Sequence, residues 1–439
     1  YLRNEEGLRR VPAERISAPP PLTRLSSPAA TGEALFGKEH SMVSEQMYAL
    51  GTKKSTIRTI FEYGQKRAAE VGAENVFDFS LGNPNVPAPT FIQEAAVDIL
   101  THSDPTEVHG YTIAPGKPQV REILAADIKK RFGLEVTGKN LFLTAGAAAS
   151  VTIAFKALTE TGDEFVTIAP FFPEYRVFVE ACGGRLVIVP AKTDDFQIDF
   201  AALETAITPH TKAVIINSPN NPSGAVYSEE TIRRLAELLR AKEQTYGHPI
   251  FIIADEPYRE IVYDGLTVPC IPLYYDNTIV CYSYSKSFSL PGERIGYIVV
   301  PDTAADFSRV YGAMAGAARV LTHVNAPSLW QLVIARCAGK AADLSTYAHN
   351  AKLLYEGLTA AGFECMRPQG AFYLFPKALE EDDAAFCARA REFDLLLVPG
   401  ADFGCPGYFR AAYCVRTEMI ERALPHFQEL RKTYKEIHE

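Results

Sequence analysis

From Met42 onward this chain repeats one alternation, and that alternation most constrains its fold. Short apolar runs rich in β-branched and aromatic residues recur at Phe165–Ala169, Leu186–Val189, Ala213–Asn217, Ile250–Ala254, Ile279–Tyr284 and Ile295–Val300. Each has the length of a strand. Helical stretches intervene, such as 229–243, where Ile232, Leu235, Leu238 and Leu239 share one face. Strands alternating with helices imply a mostly parallel sheet with both faces covered, so the fold class is α/β. After about residue 325 the chain is helical at first. Strands are then expected near Ala371–Phe375 and Tyr408–Cys414, which gives a smaller α+β unit. The expected organisation is a loose leader at 1–41, an N-terminal arm with part of the small domain at 42–90, a large domain at 91–324 and a small C-terminal domain at 325–439.

Residues 1–41 contain Pro19-Pro20-Pro21 among many Arg and Ser and show no sustained period. Gly32–Lys38, GEALFGK, falls short of a phosphate-binding loop: Glu39 stands where Ser or Thr would hold Mg²⁺, and no strand precedes it. Met42 opens the regular sequence and is one candidate for the natural start, an upstream start codon being the other. The net charge of -9 argues against a nucleic-acid binder that relies on a basic surface. No run approaches the ~18 apolar residues of a membrane span, and no apolar segment near the N-terminus has the form of a secretory signal. The 8 cysteines include no CxxC pair and no Cys/His cluster with zinc spacing, so no metal is expected and a reducing, cytoplasmic compartment is.

In open parallel sheets, ligands bind beyond the carboxyl ends of the strands. Four such ends carry unusual residues here. Ala213–Asn217 leads into Ser218-Pro219-Asn220-Asn221-Pro222-Ser223-Gly224, and Ile250–Ala254 ends in Asp255-Glu256-Pro257-Tyr258. Ile279–Tyr284 is followed by Ser285-Lys286-Ser287, and Leu141–Thr144 runs into Ala145-Gly146-Ala147-Ala148-Ala149. Each has a bland reading: Asn-Pro-Ser-Gly is turn chemistry, a strand-end Asp is a helix cap, a lone Lys is a solvated charge. Their joint occurrence, in this order, is what makes a site.

The Gly146 turn suits an anion, because small residues admit close backbone approach and the following helix offers free N–H groups. Ser283, Ser285 and Arg294 add two hydroxyls and a guanidinium suited to phosphate. A buried carboxylate at Asp255 needs a cationic partner, which a pyridinium nitrogen would provide. Lys286 adds an amine able to form a Schiff base. Phosphate site, ring-nitrogen partner and Schiff-base amine together are the requirements of pyridoxal 5'-phosphate.

With these residues in view, the chain resembles the class I/II aminotransferases of the pyridoxal-phosphate fold type I, or aspartate aminotransferase, superfamily. The resemblance runs from about residue 42 to the C-terminus. It is carried by SPNNPSG at 218–224, ADEPY at 254–258 and SYSKSFSLPGERIGY at 283–297. Supporting segments are LGNP at 81–84, YTIAPGKPQVRE at 111–122, PQGAFY at 368–373 and the late Arg410.

The resemblance implies that Lys286 is the Schiff-base lysine and proton carrier, and that Asp255 pairs with the ring nitrogen. It implies that Asn221 and Tyr258 bond the ring's phenolic oxygen. The phosphate would be held by Arg294, Ser283, Ser285 and the Ala147 and Ala148 amides. Phe172 would stack on the ring, and Arg410 would clamp the substrate α-carboxylate with Gly82 and Asn221 beside it. Tyr111 would reach the phosphate of a neighbouring subunit, which implies a homodimer with shared sites. The implied activity is ping-pong transfer of an amino group from an L-amino acid to a 2-oxo acid. Alternatives are β-elimination or decarboxylation on the same fold, or a pyridoxal-phosphate-binding regulator without turnover. Some aspartate-using relatives place a Lys where this chain has Ala148, so a neutral or aromatic side chain is the expectation for the donor.

Overall fold

The computed structural model describes residues 43–52 and 56–436. The expected leader at 1–41, its GEALFGK segment and Met42 lie outside the described residues. The chain divides into two units, one ending at Lys53 and one beginning at Lys54. The first contributes the helix Glu45–Thr52, none of whose residues is buried. The second holds every strand of the described residues.

Its strands, in chain order, are β1 (Phe77–Asp78), β2 (Leu141–Thr144), β3 (Glu164–Ile168), β4 (Arg185–Val189), β5 (Thr211–Asn217), β6 (Phe251–Asp255), β7 (Thr278–Ser283), β8 (Gly296–Val299), β9 (Tyr373–Leu374), β10 (Leu395–Leu396), β11 (Val398–Pro399) and β12 (Phe409–Ala412). Seven of them form one sheet in the order β2-β8-β7-β6-β5-β3-β4. Its pairings are parallel from β4 through β7, and β8 runs antiparallel to both β7 and β2. Six strands therefore share a direction, and β8 starts at the edge where the others end.

Side chains alternate across a strand, so each strand feeds two cores. Val214, Ile216, Ile252 and Ala254 join one hydrophobic cluster, and Ala213, Ile215, Phe251 and Ile253 join another. Every residue of β2, β3, β6, β7 and β8 is buried, as a sheet covered on both faces requires. One covering helix spans Glu229–Tyr246, three residues beyond the expected end. The Ser228 side chain caps its start by accepting from Thr231 N at 3.1 Å, and Gly247 ends it at φ 74°, in the left-handed region.

A third core gathers β9 and β12 with Phe77, Phe79 and the helices Ser345–Ala360 and Thr417–Glu436. A two-stranded parallel pairing joins Phe77 to Leu395 and Asp78 to Leu396. The strand expected at Ala371–Phe375 shrinks to Tyr373–Leu374, because Ala371 has φ 56° and cannot continue an extended run. Among the described residues no helix is long and apolar enough to cross a membrane. All 8 cysteines are free thiols.

Candidate active site

Because β8 begins where the parallel strands end, one edge of the sheet collects residues from five connections. The chain after β7 turns at once into the short helix Tyr284–Ser287, so Tyr284 opens a helix where the sequence suggested strand. Ser283 caps it: its Oγ accepts from Ser285 N at 3.1 Å and lies 2.7 Å from Ser285 Oγ. Lys286 follows, part-buried, with Nζ donating to the Gly82 carbonyl at 2.7 Å and standing 5.3 Å from the Phe372 ring centre. Burial lowers the pKa of this amine to about 8, and Arg410 and Arg294 add to the effect against Cys414.

Asp255 closes β6 and is buried. Tyr175 donates its hydroxyl hydrogen to Oδ2 at 2.5 Å, while the buried Oδ1 has no hydrogen-bond partner. Burial pushes this carboxyl up to about 7. The Tyr175 hydroxyl pulls it down, and neighbouring Glu256 pushes it up. Glu256 is itself tied to Arg259, whose Nε lies 2.6 Å from Oε2.

The loop after β5 is fastened to the end of β6 by Asn217, whose Nδ2 donates to Asp255 O at 2.8 Å and whose Oδ1 accepts from Asn221 N at 2.8 Å. Asn221 Oδ1 accepts in turn from Arg410 Nη1 at 3.0 Å. Arg410, from β12, is only 3% exposed and sends Nη2 to Ser80 O at 2.6 Å. Its guanidinium lies between the Tyr373 and Phe403 rings, 4.7 and 4.8 Å from their centres. Tyr258 is buried with its hydroxyl 3.0 Å from that of Tyr373. A Cβ at Gly82 would overlap the Tyr373 hydroxyl, so this position needs glycine.

At the end of β2, Gly146 (φ 86°) starts the helix Ala147–Leu158, and no side chain caps it. The first N–H groups of a helix have no partner within it, so the Ala147 and Ala148 amides are offered outward. Arg294 (φ 51°) lies against this turn: a Cβ at Gly146 would stand 3.0 Å from its Nη2. Arg294 Nη1 donates to Pro291 O at 2.9 Å. Phe172 is half-buried, edge-on to Tyr175 at 5.6 Å. Tyr111 is 99% exposed and stands apart from all of these.

The fold thus brings together Gly82, Asn221, Tyr258, Lys286 and Arg410, sets Ser283 and Ser285 at the cap beside Lys286, and places Asp255 with Tyr175. Tyr175, Asn217, Tyr373 and Ser80 were not singled out from sequence. Tyr373 ends the PQGAFY segment, and Tyr175 follows Phe172 in the run PFFPEY at 170–175, but only the fold shows what their hydroxyls meet.

The sequence profile of the family "Aminotransferase class I and II" matches residues 74–427. The chain belongs to this family. Among its relatives, this aminotransferase is 31% identical over 360 residues to the probable aspartate/prephenate aminotransferase of Thermus aquaticus, covering 79% of this chain and 89% of the relative. It is 30% identical over 380 residues to the aspartate aminotransferase of Geobacillus stearothermophilus, covering 82% and 92%. A crystal structure of an aminotransferase from Eubacterium rectale superposes with TM-score 0.89 at 55% identity, over 90% of this chain and 99% of that one. The aspartate aminotransferase of Thermus thermophilus with maleate gives 0.78 at 27% identity, over 89% and 100%.

Proposed function

We propose that this aminotransferase binds pyridoxal 5'-phosphate at the strand-end edge and moves an amino group from an L-amino acid to a 2-oxo acid. The observation that carries the reading is Asp255 Oδ1, a carboxylate oxygen buried without a protein partner. A buried ionised oxygen needs a cationic donor, and a protonated pyridine nitrogen is one. The other residues fit the same group. The Gly146 turn with the Ala147 and Ala148 amides, Ser283, Ser285 and Arg294 suits a phosphate. Asn221 and Tyr258 suit a phenolic oxygen, and Phe172 suits the face of the ring.

When bound, the cofactor supplies an electrophilic carbonyl carbon and a ring that accepts electron density from the substrate Cα. The protein's own groups do the rest. Asp255 would keep a proton on the ring nitrogen. Lys286 would hold the cofactor through its amine, and that amine would take up the proton lost from the substrate Cα and return it to the cofactor's carbonyl carbon. Its lowered pKa leaves a useful fraction of neutral amine near pH 7. Arg410 holds the α-carboxylate beside Gly82 and Asn221. Ala148 supplies no cation for a distal carboxylate, which favours a donor with a neutral or aromatic side chain.

Tyr111, with its side chain fully exposed, suits a contact to the phosphate in a second copy of the chain, and hence a homodimer with shared sites. The 42–90, 91–324 and 325–439 organisation and a cytoplasmic setting complete the proposal. Borohydride reduction after incubation with pyridoxal 5'-phosphate is expected to leave one pyridoxyl adduct, on the peptide containing Lys286, and none in Lys286→Ala. An adduct elsewhere, or normal turnover by Lys286→Ala, overturns the assignment.

A further inference from the structure

Tyr373 lies against three residues of the site at once: Tyr258, Arg410 and Gly82. Its hydroxyl lies 3.0 Å from that of Tyr258. Its ring supports the Arg410 guanidinium at 4.7 Å. Its hydroxyl end packs against Gly82, whose carbonyl accepts from Lys286 Nζ. The side chain is 2% exposed, so its hydroxyl needs a partner inside the protein, and Tyr258 provides it.

We infer that Tyr373 is a positioning residue with two separable parts: a hydroxyl that donates to Tyr258 oxygen and so aims the Tyr258 hydrogen at the cofactor's phenolic oxygen, and a ring that holds Arg410 for the substrate carboxylate. The inference rests on the cofactor reading above. Direction matters here. Each hydroxyl has one hydrogen. If Tyr373 donates to Tyr258, the Tyr258 hydrogen is free for the phenolic oxygen, and the polarised Tyr258 O–H is the stronger donor. Were Tyr258 the donor to Tyr373, that hydrogen would be withheld. The groups facing the pair are few: Arg410 and Asp255 around Tyr258, and Arg410 and Cys414 around Tyr373. The Arg410 charge is common to both and is unaltered by removing one hydroxyl.

The test uses the holoenzyme of wild type, Tyr373→Phe and Tyr373→Leu. In Tyr373→Phe the ring stays and the hydroxyl goes. The phenolic oxygen loses part of its stabilisation as an anion, so the pH midpoint of the bound cofactor's visible absorbance should rise by about 0.3–1 unit, the equivalent of one neutral hydrogen bond. KM for the best amino donor should change less than ~3-fold in that variant. In Tyr373→Leu the same midpoint rise should be joined by a KM increase of about tenfold or more for the amino acid. The corresponding decarboxylated amine, which does not use Arg410, should keep its KM. An unmoved or lowered midpoint in Tyr373→Phe overturns the hydroxyl's role and donor direction. Equal KM changes for amino acid and amine in Tyr373→Leu overturn the ring's role. Both readings presuppose a borohydride-trapped adduct at Lys286 in the variants. Its absence from wild type as well would overturn the cofactor reading, and this inference with it.

Discussion

Tyr175→Phe removes one oxygen atom from a fully buried contact and leaves the ring packing in place. That oxygen donates to Asp255 Oδ2 at 2.5 Å, and Oδ1 has no partner. The Tyr175 bond is thus the one side-chain contact that lowers the carboxyl's pKa, against the larger upward push of burial that sets it at about 7. A hydrogen bond to a charged group contributes ~1.5–3 kcal/mol, which at about 1.4 kcal/mol per unit corresponds to roughly 1–2 pKa units. In the ligand-free variant Asp255 should therefore stay protonated until about pH 8–9. The sign carries into stability. The folded-state pKa lies above the ordinary carboxyl value of 3.8, so ionisation costs the folded state more than the unfolded one. Wild type should lose stability as pH rises from about 4 to about 7, and the variant should go on losing it for another unit or two. The direct assay is an infrared pH titration of the buried carboxyl band, identified by its loss in Asp255→Asn. A midpoint in Tyr175→Phe equal to or below wild type would refute the reasoning, because it would mean the hydroxyl does not favour the ionised form.

Two further outcomes follow from the same geometry. Attachment of pyridoxal 5'-phosphate to the apoprotein should quicken with pH and level off just above about 8, the pKa of the Lys286 amine, when followed by absorbance in a stopped-flow titration; a plateau near 10.5 would show that burial does not deprotonate it. Arg410→Ala should cut kcat/KM for amino acids by roughly thirty- to a thousand-fold, from ~2–4 kcal/mol for a charge-assisted contact, while sparing the decarboxylated amine; equal losses would make Arg410 structural.

The sheet was legible because its strands are short β-branched runs whose apolar character does not depend on partners. Leu141–Thr144 has the expected bounds, and the other central strands differ from expectation by one or two residues at one or both ends. Asp255, at the end of β6, and Lys286, three residues beyond the end of β7, stood out together because charge next to buried strands is costly, so several such ends in order are noticeable. Tyr175, Asn217 and Tyr373 were not. A tyrosine or asparagine among apolar neighbours is ordinary, and its meaning here comes from contacts across the fold. Tyr175 meets a carboxylate 80 positions away, and Tyr373 meets a hydroxyl 115 positions away. The shortened β9 was hidden because nothing in the identity of Ala371 announces a positive φ.

The order of β12 in the chain has a consequence for the protein as it is made. The central sheet is complete by Val299, so every strand end proposed to face the cofactor is synthesised before Arg410. Arg410 is made after all of them, and it closes on the carbonyl of Ser80, a residue 330 positions earlier. The Ser80 carbonyl must therefore wait for this partner while the intervening residues are added, although its N–H and hydroxyl can already bond Asp78. Since domains form from the N-terminal side as the chain emerges, the residues proposed to hold the cofactor are made before the Arg410 proposed to clamp a substrate.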